Sequence, residues 1–173
     1  LRRDAIFYKH LAVQCLAALL FIYVVLRALD LVATSSLIWA AGASTLASSA
    51  YLVFVLPESP ASKPVRVIGG YIVAVLCGHG FRMLGALTCS LFFTCNVVSV
   101  HIRVFEVIAA VSVGVSLIIM VLFKLEHPPA AGLALVMTLD IQNTGAMIVI
   151  LGSAASLSLI RYFFYRQLRQ LVH

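Results

Sequence analysis

The sequence predicts an all-α, polytopic transmembrane bundle of five or six spans, with a short or broken helix starting at the double proline Pro128–Pro129. Three observations predict it. Of 173 residues, 63% are hydrophobic and 10% charged, and the mean hydropathy is +1.11, far from the composition of an ordinary soluble domain. Residues 10–26, 31–57, 67–81, 83–102, 107–123 and 141–160 contain no Asp, Glu, Lys or Arg, and a helix crosses the hydrocarbon with about 20 mainly apolar residues, about 17 at the lower end. All prolines fall in two clusters between such stretches, "LPESPASKP" (56–64) and "EHPP" (126–129). The length suits one membrane domain over 1–173.

The first apolar run follows Arg2, Arg3 and Lys9. No small-residue cleavage site closes it, so it reads as a signal-anchor or ordinary first span. The second, "SSLIWAAGASTLASSAYLVF", has an unusually small and hydroxylic middle: Gly42, Ser44, Thr45, Ser48 and Ser49. Two readings stay open for it, a helix–helix contact whose hydroxyls bond back to the preceding turn, and a wall of a polar pathway. Spans near 65–82 and 83–101 then meet in a turn of "GHGFRMLG", unless Arg82 lies inside one long helix. Within the first of these, Gly70, Ala74 and Gly78 repeat every four residues. Such a face lets a neighbouring helix approach closely. Spans near 106–124 and 143–163 complete the set.

If the spans alternate in direction, one side receives Arg2, Arg3, Lys9, Lys63, Arg66, Arg103, Arg161, Arg166 and Arg169, and the other Arg27, Arg82 and Lys124. That bias places both termini in the cytoplasm or its topological equivalent. It also places the two proline clusters on opposite sides, as an inverted-topology repeat would, with a site where the halves meet.

The double proline reads as a helix start. Proline in the first turn loses no hydrogen bond, because that N–H would have no partner there. The helix runs from Pro128 and Pro129 through Ala130, Ala131 and Gly132 to about Thr138, too short to cross. The expected free donors are the N–H groups of Ala130 and Ala131, at the positive end of the helix dipole. Small side chains leave that end open to a small anion. The competing reading is a loop that restarts a helix at the membrane surface. His127 either gains charge near neutral pH beside the anion path or bonds a helix-end group or Glu126. Asp140, Gln142, Asn143 and Thr144 read as a turn, with Asn143 kept as a pore-facing polar group.

Several classes are set aside. The net charge of +6 comes from basic residues at helix ends rather than on one face, so no nucleic acid is expected. Cys15, Cys77, Cys89 and Cys95 lie in apolar stretches without a C-x-x-C pair and read as small packed thiols. The histidines have no metal-ligand spacing, and no metal or cofactor is expected. No serine–histidine pair or phosphate loop appears, and the titratable groups are scattered, so the chain is not read as an enzyme.

The blocks "GAS" (42–44), "FVLPESPASKPVRVIGGYIVAVLCG" (54–78) and "HPPAAGLAL" (127–135), in this order and approximate spacing, resemble the HPP family of integral membrane proteins. The resemblance covers about residues 30–150. It implies a compact bundle, usually of four or five spans, and marks Pro57, Glu58, Ser59, Pro60, Gly69 and Gly70 as its structural motif. The chain departs from the family where Ala130 and Ala131 come first after the motif, Leu133 follows Gly132, and Ser48 and Ser49 make the "GAS" helix less apolar. Some chloroplast and cyanobacterial relatives are implicated in nitrite transport. The resulting expectation is a channel or transporter for a small monovalent anion, nitrite first, bound by Gly42, Ser44, Thr45, His127, Pro128, Pro129, Ala130, Ala131, Gly132 and Asn143. The expected partners are that inorganic anion and the lipid bilayer, and a homo-oligomer is compatible with the sequence. The rival expectation is a membrane-embedded binding or assembly module.

Overall fold

In a computed structural model the described residues are 5–92, 98–139, 144–168 and 171. They form α1 (Ala5–Val32), α2 (Ser36–Phe54), a single 3-10 turn (Pro60–Ser62), α3 (Pro64–Phe92), α4 (Val98–Leu122), α5 (Pro128–Leu139) and α6 (Thr144–Phe164). Five of these helices are long and apolar enough to cross a membrane, and α5 is a shorter apolar helix. The chain is a multi-pass integral membrane protein.

Local chemistry sets the helix ends. The Ser35 hydroxyl accepts from the Ile38 N–H and starts α2, using one of the donors that a helix start leaves without a partner. At the end of α4 the Leu125 N–H bonds the Met120 carbonyl and the Lys124 N–H bonds that of Val121. Lys124 takes the left-handed conformation, φ 57°. This is a Schellman closure, with lysine where glycine is usual. It turns the chain sharply towards His127.

The predicted turn at "GHGFRMLG" does not form. α3 runs as one helix of 29 residues straight through Gly78, Gly80 and Arg82. Glycine is tolerated there because the small face serves packing: a Cβ on Gly78 would collide with the Cβ of Met137 and come 2.7 Å from the Ala134 carbonyl oxygen. Arg82, inside the helix, donates to the carbonyls of Thr138 and Leu139 at 3.2 and 2.9 Å. It thereby closes the C-terminal end of α5, where a cation also suits the dipole.

A single α3 reverses everything after it, so the two proline clusters meet at one end of the bundle. His127 bonds the Ala61 carbonyl at 2.8 Å, and Glu126 pairs with Arg66 at 2.8 Å. The basis for an inverted repeat is gone. The same end receives the first turns of α1, where Gln14 donates to the Phe54 carbonyl at 2.7 Å, and the segment after α6, where the Leu171 N–H bonds Val55 O at 3.1 Å.

The main core joins Leu29 of α1, Ile38 and Leu46 of α2, Val67, Tyr71 and Ala74 of α3, Leu133 and Met137 of α5, and Ile150 of α6. α5 lies against α2, α3 and α4, while α1 packs on α2 and α6. The cysteines do not behave as one class. Cys15 is exposed, Cys77 is half-buried, and Cys89 is disulfide-bonded.

Candidate functional site

The site is built around His127. Its ring is completely buried, between the Ser49 hydroxyl, 2.8 Å from Nε2, and the Ala61 carbonyl, 2.8 Å from Nδ1. A carbonyl only accepts, so Nδ1 carries the proton and Nε2 of the neutral ring is an acceptor. The Ser49 hydroxyl therefore donates to Nε2. Ser49 also lies 2.9 Å from the Tyr71 hydroxyl, which donates to it, and 2.9 Å from the Thr45 carbonyl. Ser49 and Tyr71 are fully buried too. His127, just before α5 and outside the spanning helices, is held below the ordinary imidazole pKa by burial, with the bond to Ala61 opposing.

Three elements thus position one ring. α2 brings Ser49, the loop ending in the 3-10 turn brings Ala61, and α3 brings Tyr71, its ring centroid 5.6 Å from that of His127. Gly70 makes the room: a Cβ there would stand 2.7 Å from the Cβ of His127. Gly69 does the same for Leu125, whose side chain would lie 2.6 Å from an added Cβ.

The loop is held from the other side by Arg161 near the end of α6. Its Nε donates to the Ser62 hydroxyl at 2.9 Å and its Nη2 to the Pro57 carbonyl at 2.8 Å. Ser62 itself donates to Pro57 O at 2.9 Å or to Ser59 O at 2.8 Å, and the Ser59 hydroxyl caps the turn by accepting from the Ala61 N–H. Glu58 and Pro60 are exposed on this loop.

The proline-started helix is present, but the Ala130 donor is used. Pro128 and Pro129 have no N–H to leave free, and the Ala130 N–H bonds His127 O at 3.0 Å. Ala130 and Ala131 are buried, at 0% and 6% exposure. The open space lies beside them instead. A groove of about 790 Å³ is lined by Ala47, Ser48 and Tyr51 of α2, Ser59 and Ala61 of the loop, and Pro128 and Pro129.

The sequence-predicted residues divide accordingly. His127, Pro128, Pro129, Ala130 and Ala131 gather near the loop end of α2. Thr45 is buried and donates to Gly42 O at 3.1 Å, while Gly132 is exposed, its nearest neighbour for an added Cβ being Thr45 Cγ2 at 3.7 Å. Ser44 is exposed, bonded to Ala41 O. Gly42 sits apart, against Ile150 and Leu29. Asn143 lies outside the described residues. Sequence reasoning passed over Tyr71, Ser62 and Arg161 as site residues, and Ser49 was one hydroxyl in a band. Only Arg161 carried a signal, a basic residue in an apolar helix.

A family model described as the HPP transmembrane region matches residues 4–170. Neither the comparison with curated proteins nor that with solved structures returns a match.

Proposed function

The chain belongs to the HPP transmembrane family, and from that membership we propose that it passes a small monovalent anion across the membrane, nitrite first among the candidates. The observation that supports this reading is the groove at the start of α5, with Ser48, Tyr51 and Ser59 along it. Hydroxyls and the positive end of a helix dipole replace part of an anion's hydration shell without a full counter-charge. On this reading the chain performs no bond chemistry. Lys9, Lys63, Arg66, Lys124, Arg161 and Arg166 lie at the loop end, against Arg27, Arg82 and Arg103 towards the other, which supports a cytoplasmic loop end and cytoplasmic termini.

Purified protein in liposomes is expected to carry nitrite above empty-vesicle leakage, with flux falling at least tenfold when Ser48 and Ser59 are replaced together by leucine. Flux of nitrite, nitrate, chloride and formate that never exceeds leakage would defeat the reading. The closed packing around Ala130 and Ala131 favours a second reading, a membrane-embedded assembly module, and that outcome would support it.

A further inference from the structure

We propose that Nε2 of His127 is a proton-binding site, served by rotation of the Ser49 hydroxyl, and that the bound proton travels with the anion. The coupling half rests on the anion-transport reading; the proton site does not.

The geometry offers two complete hydrogen-bond patterns around one oxygen. With neutral His127, the Tyr71 hydroxyl donates to Ser49 and Ser49 donates to Nε2, across 2.9 and 2.8 Å. When a proton binds the Nε2 lone pair, Nε2–H becomes the donor and Ser49 must accept from it. Ser49 then turns its own proton to the Thr45 carbonyl, already 2.9 Å away, and keeps accepting from Tyr71. Nδ1–H donates to Ala61 O in both states. No donor loses its partner, so the exchange avoids the cost of an unpaired buried group. Only an N–H bond forms or breaks.

Few charges surround the ring. α2 presents Ser49 and Thr45, the loop the Ala61 carbonyl, and α3 the uncharged Tyr71 and Gly70. No described carboxylate bonds the ring. The nearest ion pair is Arg66–Glu126, with Glu126 adjacent in sequence, while Arg161 holds Ser62, next to Ala61. Burial keeps protonation below the ordinary imidazole range, with the bond to Ala61 opposing it. Ala61 and Pro128, the neighbours of His127 in space and in sequence, also line the groove. The proton site is therefore one residue's thickness from the proposed anion path.

The test uses the full chain in lipid nanodiscs with ¹⁵N-labelled histidine. Nδ1 should stay protonated throughout, and Nε2 should gain its proton below about pH 6.5, the ordinary histidine value. Ser49→Ala removes the acceptor of a charged bond and should lower that midpoint by about one unit, tenfold in proton affinity. Nε2 that stays unprotonated until the protein unfolds, or a midpoint that Ser49→Ala leaves in place, overturns the proton site.

In liposomes with an acid exterior, the wild type should accumulate nitrite and acidify an internal dye in step, above empty vesicles. His127→Gln offers an amide N–H to Ala61 and an oxygen to Ser49 but does not titrate. Its nitrite uptake, whatever its downhill rate, should not respond to the pH gradient. Gradient-driven accumulation that survives His127→Gln overturns the coupling. Absence of nitrite flux in every variant overturns the transport reading and the coupling with it, while the nitrogen resonances alone decide the proton site.

Discussion

Arg161 takes a guanidinium to a position only 8% exposed, where neutral acceptors receive it. Among the described residues no carboxylate pairs with it, and the Tyr165 ring lies 4.9 Å from its Cζ. Two terms compete. Each bond from a charged donor contributes about 1.5–3 kcal/mol, but desolvation of the guanidinium offsets much of this in global stability. The local effect is the larger, because the bonds converge on a short loop. Arg161→Met is expected to move the thermal midpoint little while the Ser62 and Lys63 amides exchange about tenfold faster or more, a difference of about 1.4 kcal/mol. Those amides bond Ser59 O and Pro60 O within the turn. Unchanged exchange would mean that the turn holds itself and that Arg161 is only a passenger.

The contact between α3 and α5 depends on what glycine leaves out. At Gly70 an added Cβ meets His127, and at Gly78 it meets Met137 and Ala134. At Gly80 nothing lies within 4 Å. Gly70→Ala and Gly78→Ala should each destabilise by about 1–3 kcal/mol through overpacking. Gly80→Ala should be neutral, or stabilising by up to about 1 kcal/mol through helix propensity. Thermal unfolding in detergent separates the cases; equal losses at Gly78 and Gly80 would argue against a close α3–α5 fit.

These glycines also explain how far the elements could be read in advance. Charge-free length identified α1, α2, α4 and α6, and the double proline identified the start of α5. The "GHG" stretch was misleading because one glycine suits either a turn or a close helix approach, and a partner more than fifty residues later decides which. The site was half legible for the same reason. His127 stands out in its motif, but Ser49 and Tyr71 become its partners only once α2 and α3 are placed beside α5.

For the whole molecule, the single helix α3 is the fact that fixes the topology. It puts Lys63 and Lys124 at one end of the bundle and Asp30 and Arg103 at the other, although alternation through a turn near Arg82 would have separated the two lysines. Cysteines introduced singly at Lys63 and Lys124 should react with an impermeant thiol reagent from the same face of sealed vesicles, and cysteines at Asp30 and Arg103 only from the opposite face. Lys63 and Lys124 labelled from opposite faces would break the topology. The bundle that results is uneven. α2 contributes eight buried residues, whereas only 11% of the most apolar window of α1 is buried, so α1 holds on mainly through α2 and the Gln14 bond to Phe54.

The shortness of α5 bears on how such a chain enters the bilayer during synthesis. Its 12 residues extend about 18 Å, against about 30 Å of hydrocarbon, so α5 is too short to be threaded as a span of its own. Apolarity cannot seat it either, since lipid tails are as apolar as its neighbours. What seats α5 is shape and polarity: the glycine face of α3, the Ser49 hydroxyl, the Ala61 carbonyl and the Arg82 guanidinium. All four belong to segments made before it. The His-Pro-Pro segment is thus made after every group that seats it, and its docking needs no part of the chain that follows it.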